Sequence, residues 1–253
     1  MTEQNVPDPR AHRMNGGGTT VAIIPARGGS KRLTGKNIID IGGRPMVAWT
    51  IEAALASEEF DRVIVSTDDP AIAEIARRWG AEVPFLRDRA ADDFSTVSDA
   101  TIAALDQLEH HDGTRPHTVV QLMPNCPMRG PSEITAALQR FREQDADALI
   151  SCFRFGWMNP WWAVTLDQGG CPEPVFPEAL AKRSQDLPSL YCPSGAIWIA
   201  KVEALRRAGT FYAPGHTFFP IPWQSAVDID DCHDLEFAEV VWSLRHREKQ
   251  LAV

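Results

Sequence analysis

Short β-rich runs alternate with amphipathic helical stretches along most of the chain, and this alternation restricts the fold more than any other feature of the sequence. The strand candidates are residues 21–25, 62–67, 117–123, 146–152 and 195–200. Helix candidates separate them, at residues 45–57, at 70–79 and from Pro131 onward. Strands that are joined through helices build a mainly parallel sheet with helices on its faces. We therefore expect an α/β fold, a Rossmann-like three-layer sandwich.

Three further segments differ from this alternation. Residues 233–247 are expected to form a closing helix whose buried stripe consists of Phe237, Val241 and Leu244, because these positions recur at helical spacing. Residues 153–194 are rich in Trp and Pro and show no clear period, so we interpret them as an insertion. Residues 1–18 contain a Gly triplet and are expected to form a flexible N-terminal tail. One domain over residues 19–253 is therefore predicted.

Composition excludes several classes of protein. Hydrophobic residues make up 44% of the chain and charged residues 23%, as in ordinary globular proteins. The formal net charge of -9 disfavours nucleic acid as a partner, and an anionic ligand would need a local basic pocket. Because no apolar run approaches the roughly 18 residues that span a bilayer, we expect no membrane association and a cytoplasmic location. The five cysteines contain no C-x-x-C pair and are expected to be reduced thiols.

The segment IIPARGGSKRLTGKN, residues 23–37, directly follows the first strand candidate and is the strongest candidate for a binding site. Gly28 and Gly29 permit a tight turn and a close approach of the backbone to a ligand. Four cations lie within the ten residues from Arg27 to Lys36. Such a density of positive charge is typical of a loop that holds a triphosphate. The G-x-x-x-x-G-K-[ST] spacing is absent, so the loop is not a P-loop.

Two acidic residues near the C-terminus, Asp228 and Asp230, form a second group of functional candidates. In an extended segment these residues project from the same face, where two carboxylates repel each other unless a cation lies between them. Mg²⁺ suits such oxygen ligands, and Mn²⁺ accepts similar ones, so the pair is the predicted metal site. An acidic helix N-cap is the alternative, although Asp231 and Asp234 are better placed for that role.

Taken in order, these motifs resemble the acylneuraminate cytidylyltransferases, the family of CMP-sialic acid synthetases and their bacterial pseudaminic and legionaminic acid relatives. The resemblance is carried by the basic loop and by RPMVAWTIEAALAS (44–57), FDRVIVSTDD (60–69), VPFLR (83–87), PMR (127–129), RSQDLP (183–188) and VDIDD (227–231). It implies a CTP-dependent nucleotidyltransferase domain that couples CMP to an acidic nine-carbon sugar and releases pyrophosphate.

The resemblance also implies roles for single residues. Those expected to bind CTP are Ala26, Arg27, Gly28, Gly29, Ser30, Lys31, Lys36, Asn37 and Arg87. Those expected to contact the sugar are Gln121, Asn125, Arg129, Arg183, Gln185 and Ser194. Catalysis is assigned to Arg27, Lys36, Asp228 and Asp230, with Mg²⁺ on the two aspartates. Residues 153–194 resemble the family's dimerisation and substrate-binding segment, so a homodimer is expected.

Two motifs on the sugar side depart from the family's pattern. The family's QPTSPLR corresponds to MPNCPMR here, so Met123 takes the place of a sugar-contacting Gln. The family's RPNGAIY corresponds to CPSGAIW, so Cys192 replaces an Arg. We therefore expect a pseudaminic or legionaminic type of sugar rather than N-acetylneuraminic acid.

Several other functions stay open at this point. Within the enzymes, the acceptor could be another acid such as KDO or a phosphonate. A metal-dependent glycosyltransferase is suggested by the D-x-D form of residues 228–230. A nucleotide-binding module without catalysis is the remaining alternative.

Overall fold

The computed structural model describes residues 18–90 and 95–251, with side chains up to residue 245. The tail expected over residues 1–18 therefore lies, except for Gly18, outside the described residues. In the described part the strands are β1 (Thr20–Pro25), β2 (Asp40–Ile41), β3 (Arg44–Pro45), β4 (Arg62–Ser66), β5 (Thr118–Gln121), β6 (Ala148–Arg154), β7 (Val164–Leu166), β8 (Pro172–Pro174), β9 (Tyr191–Lys201) and β10 (His216–Pro220). The α-helices are α1 (Met46–Ser57), α2 (Pro70–Arg78), α3 (Val97–Asp112), α4 (Pro131–Gln144), α5 (Val202–Ala208) and α6 (Cys232–Leu251).

Six of these strands form the central sheet, in the order β10–β6–β9–β5–β1–β4. Strand β1 pairs in parallel with β4 and β5, and β10 pairs in parallel with β6. Strand β9 alone is antiparallel to its neighbours β5 and β6. All six residues of β1 are buried, as expected for a strand inside a covered, mainly parallel sheet.

Helices cover both faces of the sheet. On one face Ile51 of α1, Ile72 of α2 and Leu138 of α4 share a hydrophobic core with Ile24 of β1. The opposite core contains residues of α3, α5 and the sheet, among them Leu105, Leu205 and Val119. The predicted α/β three-layer sandwich is thereby confirmed.

Both ends of the segment 153–194 still belong to the central sheet. Strands β6 and β9 continue to pair there, with Phe153 opposite Cys192. Beyond them lies the antiparallel hairpin of β7 and β8. We call residues 155–190 the arm. Trp161 makes contacts within the arm. Its ring meets the Phe176 ring edge to face, with centroids 5.0 Å apart. Its Nε1 donates to the Pro188 carbonyl at 2.8 Å.

The closing helix is present as α6, but its predicted buried stripe is right for Val241 and wrong for Phe237 and Leu244. Phe237 and Leu244 are 51% and 55% exposed, whereas Ala238 and Val241 are buried. Together with Met46 and other residues outside α6, Ala238 and Val241 form a small third core. Phe237 instead stacks on Trp223, with ring centroids 5.9 Å apart. The partly buried Leu235 and Trp242 pack against the same core, so the inner face of α6 runs through Leu235, Ala238, Val241 and Trp242 instead of Phe237 and Leu244.

Two expectations about the whole chain concern membranes and thiols. Within the described residues, no helix combines the length and the apolar character needed to cross a membrane. The cytoplasmic location stays a prediction. All five cysteines lie in the described part of the chain and are free thiols, as expected.

Candidate active site

The loops that follow β1, β4 and β5 meet at the carboxyl ends of these parallel strands, where α/β sheets commonly bind ligands. They surround an open cavity of about 480 Å³. Eight of the site residues predicted from the sequence line this cavity: Arg27, Ser30, Lys31, Lys36, Asn37, Arg87, Asn125 and Asp230. The structure therefore brings the basic loop and one of the two predicted metal ligands to one place, although 194 positions separate Lys36 from Asp230.

The backbone of the basic loop is fixed near both of its ends. The Gly28 amide donates to Asp68 Oδ1 at 2.9 Å. The buried Asn37 donates through Nδ2 to the Arg27 carbonyl at 2.9 Å. A Cβ atom at Gly28 would lie 2.7 Å from Asp69 Oδ2, so a larger residue here would force the loop or the Asp69 side chain to move. Asn37 thus has an evident role within the loop, in addition to its expected role toward phosphate.

Cationic side chains of this loop contact both carboxylate oxygens of Asp230. Lys36 Nζ lies 2.8 Å from Oδ1, and Arg32 Nη2 lies 2.6 Å from Oδ2. The side-chain amide of Asn125 donates to Oδ1 as well, at 3.3 Å, and also to Asp228 Oδ1. Asn125 therefore holds the two carboxylates near each other.

The charges around the aspartates shift their pKa values in opposite directions. Protein atoms around the Asp228 carboxyl group desolvate it, although the residue as a whole is exposed, and the charge of Asp230 adds to this effect. Together they raise the pKa of Asp228 to about 6. Partial burial also acts to raise the pKa of Asp230, but the hydrogen bonds and charges of Lys36 and Arg32 outweigh it and lower that pKa.

This pair fits a divalent cation such as Mg²⁺. Asp228 and Asp230 lie in a loop before α6, not in a strand, yet Asn125 brings their carboxylates together. A cation would remove the repulsion that raises the pKa of Asp228. The described residues contain no group of three or more His, Cys, Asp or Glu suited to a metal. The pair would therefore share the ion with phosphate or water oxygens, the usual arrangement for Mg²⁺.

Capping of α6, the alternative role considered for Asp228 and Asp230, is performed by two neighbouring aspartates. Asp231 Oδ1 accepts from the backbone amides of His233 and Asp234, at 2.9 and 3.1 Å. Asp234 in turn accepts from the amides of Asp230 and Asp231. Asp231 and Asp234 thus account for the start of α6, and neither Asp228 nor Asp230 is needed as its cap.

Arg87 is a buried cation at the wall of the cavity. It is 5% exposed, and its amide donates to the Thr67 carbonyl at 2.7 Å. Burial lowers the pKa of Arg87, Asp68 counteracts this effect, and the positive charge of Arg27 adds to it. Two arginines close enough to repel each other are suited to a ligand with several negative charges.

The residues expected to contact the sugar are more dispersed. Gln121 is fully buried in β5, where it accepts from Thr101 Oγ1 at 2.8 Å. Arg129 is buried and donates to the carbonyls of Met123 and Ala196, at 3.2 and 2.8 Å, and burial lowers its pKa to about 10. Ser194 is also buried, and its carbonyl accepts from Ser151 Oγ at 3.0 Å. Their hydrogen bonds give these three residues roles inside the fold.

Arg183 and Gln185 lie on the arm and are exposed. Arg183 pairs with Asp186 on the same turn, at 2.7 Å. Neither Arg183 nor Gln185 is among the described residues that line the cavity. Of the described residues that the sequence relates to sugar contact, Met123 and Asn125 line the cavity of their own chain.

Sequence reasoning missed several residues of the site. Thr96 and Val97, at the start of α3, line the cavity. Arg32 was recognised as one of the four loop cations, but its contact with Asp230 was not foreseen. Asp68 was overlooked as the anchor of Gly28. Its position at the end of a strand next to the basic loop was the available signal.

Known proteins with similar sequences are cytidylyltransferases, which fits a cavity lined by cations. The cytidylyltransferase family model matches residues 21–162. A pseudaminic acid cytidylyltransferase of Campylobacter jejuni is 32% identical over 227 residues, which cover 89% of this chain and 97% of the relative. A CMP-N,N'-diacetyllegionaminic acid synthase of Legionella pneumophila is also 32% identical over 227 residues, covering 88% of this chain and 96% of the relative.

Solved structures show the same fold at lower identity. A CMP:2-keto-3-deoxy-manno-octonic acid synthetase complexed with CTP superposes with a TM-score of 0.67 at 19% identity. The superposition covers 90% of this chain and 99% of that one. Because the family model matches more than half of the chain and relatives at 32% identity span most of it, the chain belongs to the cytidylyltransferase family.

Proposed function

We propose that the protein transfers CMP from CTP to an acidic nonulosonic sugar of the pseudaminic, legionaminic or sialic acid type and releases pyrophosphate. The observation that carries the proposal is the cavity itself, where Arg27, Lys36 and Arg87 face the same space as Asp230. Three cations around one cavity suit a triphosphate, and an acidic residue beside them suits the divalent ion that accompanies it. The Campylobacter jejuni and Legionella pneumophila relatives are named for sugars of this class.

The reaction follows from this arrangement. A hydroxyl oxygen of the sugar attacks the α-phosphorus of CTP, the new P–O bond forms, the bond to the leaving pyrophosphate breaks, and the hydroxyl proton passes to a nearby base or to water. Arg27 and Lys36 neutralise the charge that develops on the phosphate oxygens, which is most of what a protein contributes to such a transfer. Asn125 keeps Asp228 and Asp230 together. When bound there, Mg²⁺ polarises phosphate oxygens, and Mn²⁺ is expected to substitute.

The choice of sugar depends on the side of the cavity next to Met123. A thioether offers a sugar hydroxyl no strong hydrogen bond. Losing one hydrogen-bonding partner of the substrate commonly lowers specificity by about 10- to 100-fold. We therefore propose a pseudaminic or legionaminic type of acceptor, with N-acetylneuraminic acid as a poorer one.

A homodimer is part of the proposal. The arm exposes large apolar side chains, among them Trp157 at 87% and Leu166 at 66%. It also holds Arg183 and Gln185, which do not reach the cavity of their own chain. A second copy would cover the apolar surface and could present these two residues to its partner's cavity.

Pyrophosphate release tests the proposed function directly. The purified protein is incubated with Mg²⁺, one nucleoside triphosphate and one acid from a panel of pseudaminic, legionaminic and N-acetylneuraminic acids, KDO and a small phosphonate. We expect release with CTP and a nonulosonic acid, and little with ATP or UTP. A glycosyltransferase would release no pyrophosphate from CTP, and a binding module would release none under any condition.

A further inference from the structure

Arg32 combines high exposure with a specific contact. Its side chain is 66% exposed, which in a basic loop usually indicates a solvated cation. Nevertheless its Nη2 lies 2.6 Å from Asp230 Oδ2, across 198 positions of the sequence. Arg32 also lines the cavity proposed for the triphosphate. One guanidinium is therefore within reach of a predicted metal ligand and of the space next to it.

The contact occupies an oxygen that a divalent ion would need. Oδ1 of Asp230 already accepts from Lys36 and Asn125, at 2.8 and 3.3 Å. With Arg32 on Oδ2, both oxygens of Asp230 are engaged by protein donors. Asp228, in contrast, accepts from the neutral amide of Asn125. An incoming cation meets positive charge at Asp230, and this repulsion weakens its binding.

We propose that Arg32 makes the binding of a divalent cation at Asp230 depend on the nucleotide. Without ligand, Arg32 holds Oδ2 and opposes a second cation. A triphosphate in the cavity offers the guanidinium several oxygens with more negative charge than one carboxylate, so Arg32 turns to the phosphate and leaves Oδ2 to the ion. Arg32 acts through Asp230 and is therefore a positioning residue. The inference rests on the proposed function, because it requires CTP in this cavity.

Exposure distinguishes Arg32 from Lys36 in this role. Lys36 is 17% exposed and belongs to the 3₁₀ turn Lys36–Ile38, so neighbouring atoms restrict its side chain. Arg32 is 66% exposed and belongs to no helix or strand. An exposed ion pair of this kind is weak. It can be exchanged for phosphate contacts at little cost, which is the property that such an exchange requires.

Binding measurements on Arg32→Ala test the proposal without recourse to activity. Mn²⁺ alone is titrated into the protein, with free Mn²⁺ followed by electron paramagnetic resonance. CTP alone is titrated by calorimetry in the presence of EDTA. We expect Arg32→Ala to bind Mn²⁺ about fivefold more tightly and CTP about fivefold more weakly, the factor that corresponds to a favourable exposed ion pair. Arg32→Lys should fall between the wild type and Arg32→Ala in both titrations.

Arg140→Ala is the matched control. Arg140 is an exposed arginine on α4 that lies 4.0 Å from Glu143. Arg140→Ala removes the same charge as Arg32→Ala. Unchanged affinities for Mn²⁺ and CTP in this variant therefore exclude a general effect of net charge. Opposite changes for Mn²⁺ and CTP in Arg32→Ala support the proposal. An unchanged Mn²⁺ affinity with weaker CTP binding overturns it, because Arg32 would then be a phosphate contact alone. A wild type that binds Mn²⁺ but no CTP, either in EDTA or with Mg²⁺ present, would reject the proposed function itself.

Discussion

Asp228 and Asp230 are chemically identical and two positions apart, but their neighbours give them different properties. Lys36 and Arg32 keep Asp230 ionised, whereas desolvation and the charge of Asp230 raise the pKa of Asp228 to about 6. At neutral pH both carboxyl groups are therefore mainly ionised. The repulsion between them is the physical reason to expect one.

We expect Asp228→Asn and Asp230→Asn each to abolish most pyrophosphate release and to weaken its dependence on Mg²⁺. Asn keeps the shape of the side chain but removes the negative charge that binds the ion. EDTA should inactivate the wild type reversibly, and Mn²⁺ should restore activity. The measurement is the rate of pyrophosphate release against Mg²⁺ concentration.

Asp231→Asn serves as the control for these variants. Asp231 caps α6, and Asn caps a helix about as well as Asp. This variant should therefore retain both activity and metal dependence. Equal activity in all three Asn variants would contradict the metal assignment.

Lys36→Ala and Arg27→Ala are expected to lower turnover by roughly a hundredfold each, the usual cost of removing one preorganised donor to a developing charge. Steady-state kinetics with CTP measures this effect, and a thermal melt checks that the variants fold. Arg78→Ala removes an exposed arginine paired with Glu74 and should have near-normal kinetics. Near-normal kinetics in the two loop variants as well would exclude the loop from the active site.

Single residues differ in how well the sequence revealed them. The basic loop could be predicted because its cations and glycines are consecutive, so their chemistry is visible in one window. Its contact with Asp230 joins residues that are far apart in the chain, and only the fold brings them together. Arg129 matched a motif and Gln121 lies two residues before that motif, but neither fact says which side chains face the cavity and which face the core.

At the scale of elements, local patterns predicted the strands β1, β4, β5 and β6 and the second half of β9, but not helix α3. The buried positions of α3 are mostly small or polar, such as Ala104 and Thr101, so its apolar face is weak in the sequence. A capping box was the available signal, because Thr96 and Asp99 bond each other's backbone amides. Missing α3 also meant missing the part of the cavity that its first residues form.

Arg62, at the start of β4, ties this strand to the end of α3. It donates to Asp112 at 2.7 Å and to Glu82 at 2.6 Å. The hydrogen bond from Thr114 and then that from Arg62 lower the pKa of Asp112 from 3.8 to about 2. These contacts favour the ionised form of Asp112 in the folded protein.

Asp112→Asn should therefore destabilise the protein at neutral pH but less so in acid. Because the folded-state pKa is the lower one, Asp112 stabilises the fold above the unfolded-state value of 3.8, and this contribution is lost as pH falls toward 2. Urea unfolding at several pH values measures the difference in free energy of unfolding between wild type and variant. The difference should be constant from about pH 7 to pH 5 and should shrink below pH 4. A difference that is unchanged near pH 3 would show that ionisation of Asp112 does not contribute.

At the scale of the whole molecule, the fold class followed from the alternation of strands and helices, because this pattern is repeated along the chain. The arm has no period, so its hairpin and its exposed surface could not be derived in the same way. What covers an exposed surface depends on another molecule. The sequence of one chain records this only indirectly, as Trp and Leu side chains outside any core.

The exposed surface of the arm predicts that the protein forms a homodimer. Trp157, Met158 and Leu166 are 87%, 66% and 66% exposed on this one segment, and exposed apolar surface commonly marks an interface. Light scattering at micromolar concentration should give twice the chain mass of 28.0 kDa. Leu166→Asp should shift this mass toward the monomer, because an interface disfavours a buried unpaired charge. Leu244→Asp, at a leucine that is 55% exposed on α6, introduces the same charge away from the arm and should leave the dimer intact. A fully active monomer in the wild type, or equal dissociation in both variants, would contradict dimerisation through the arm.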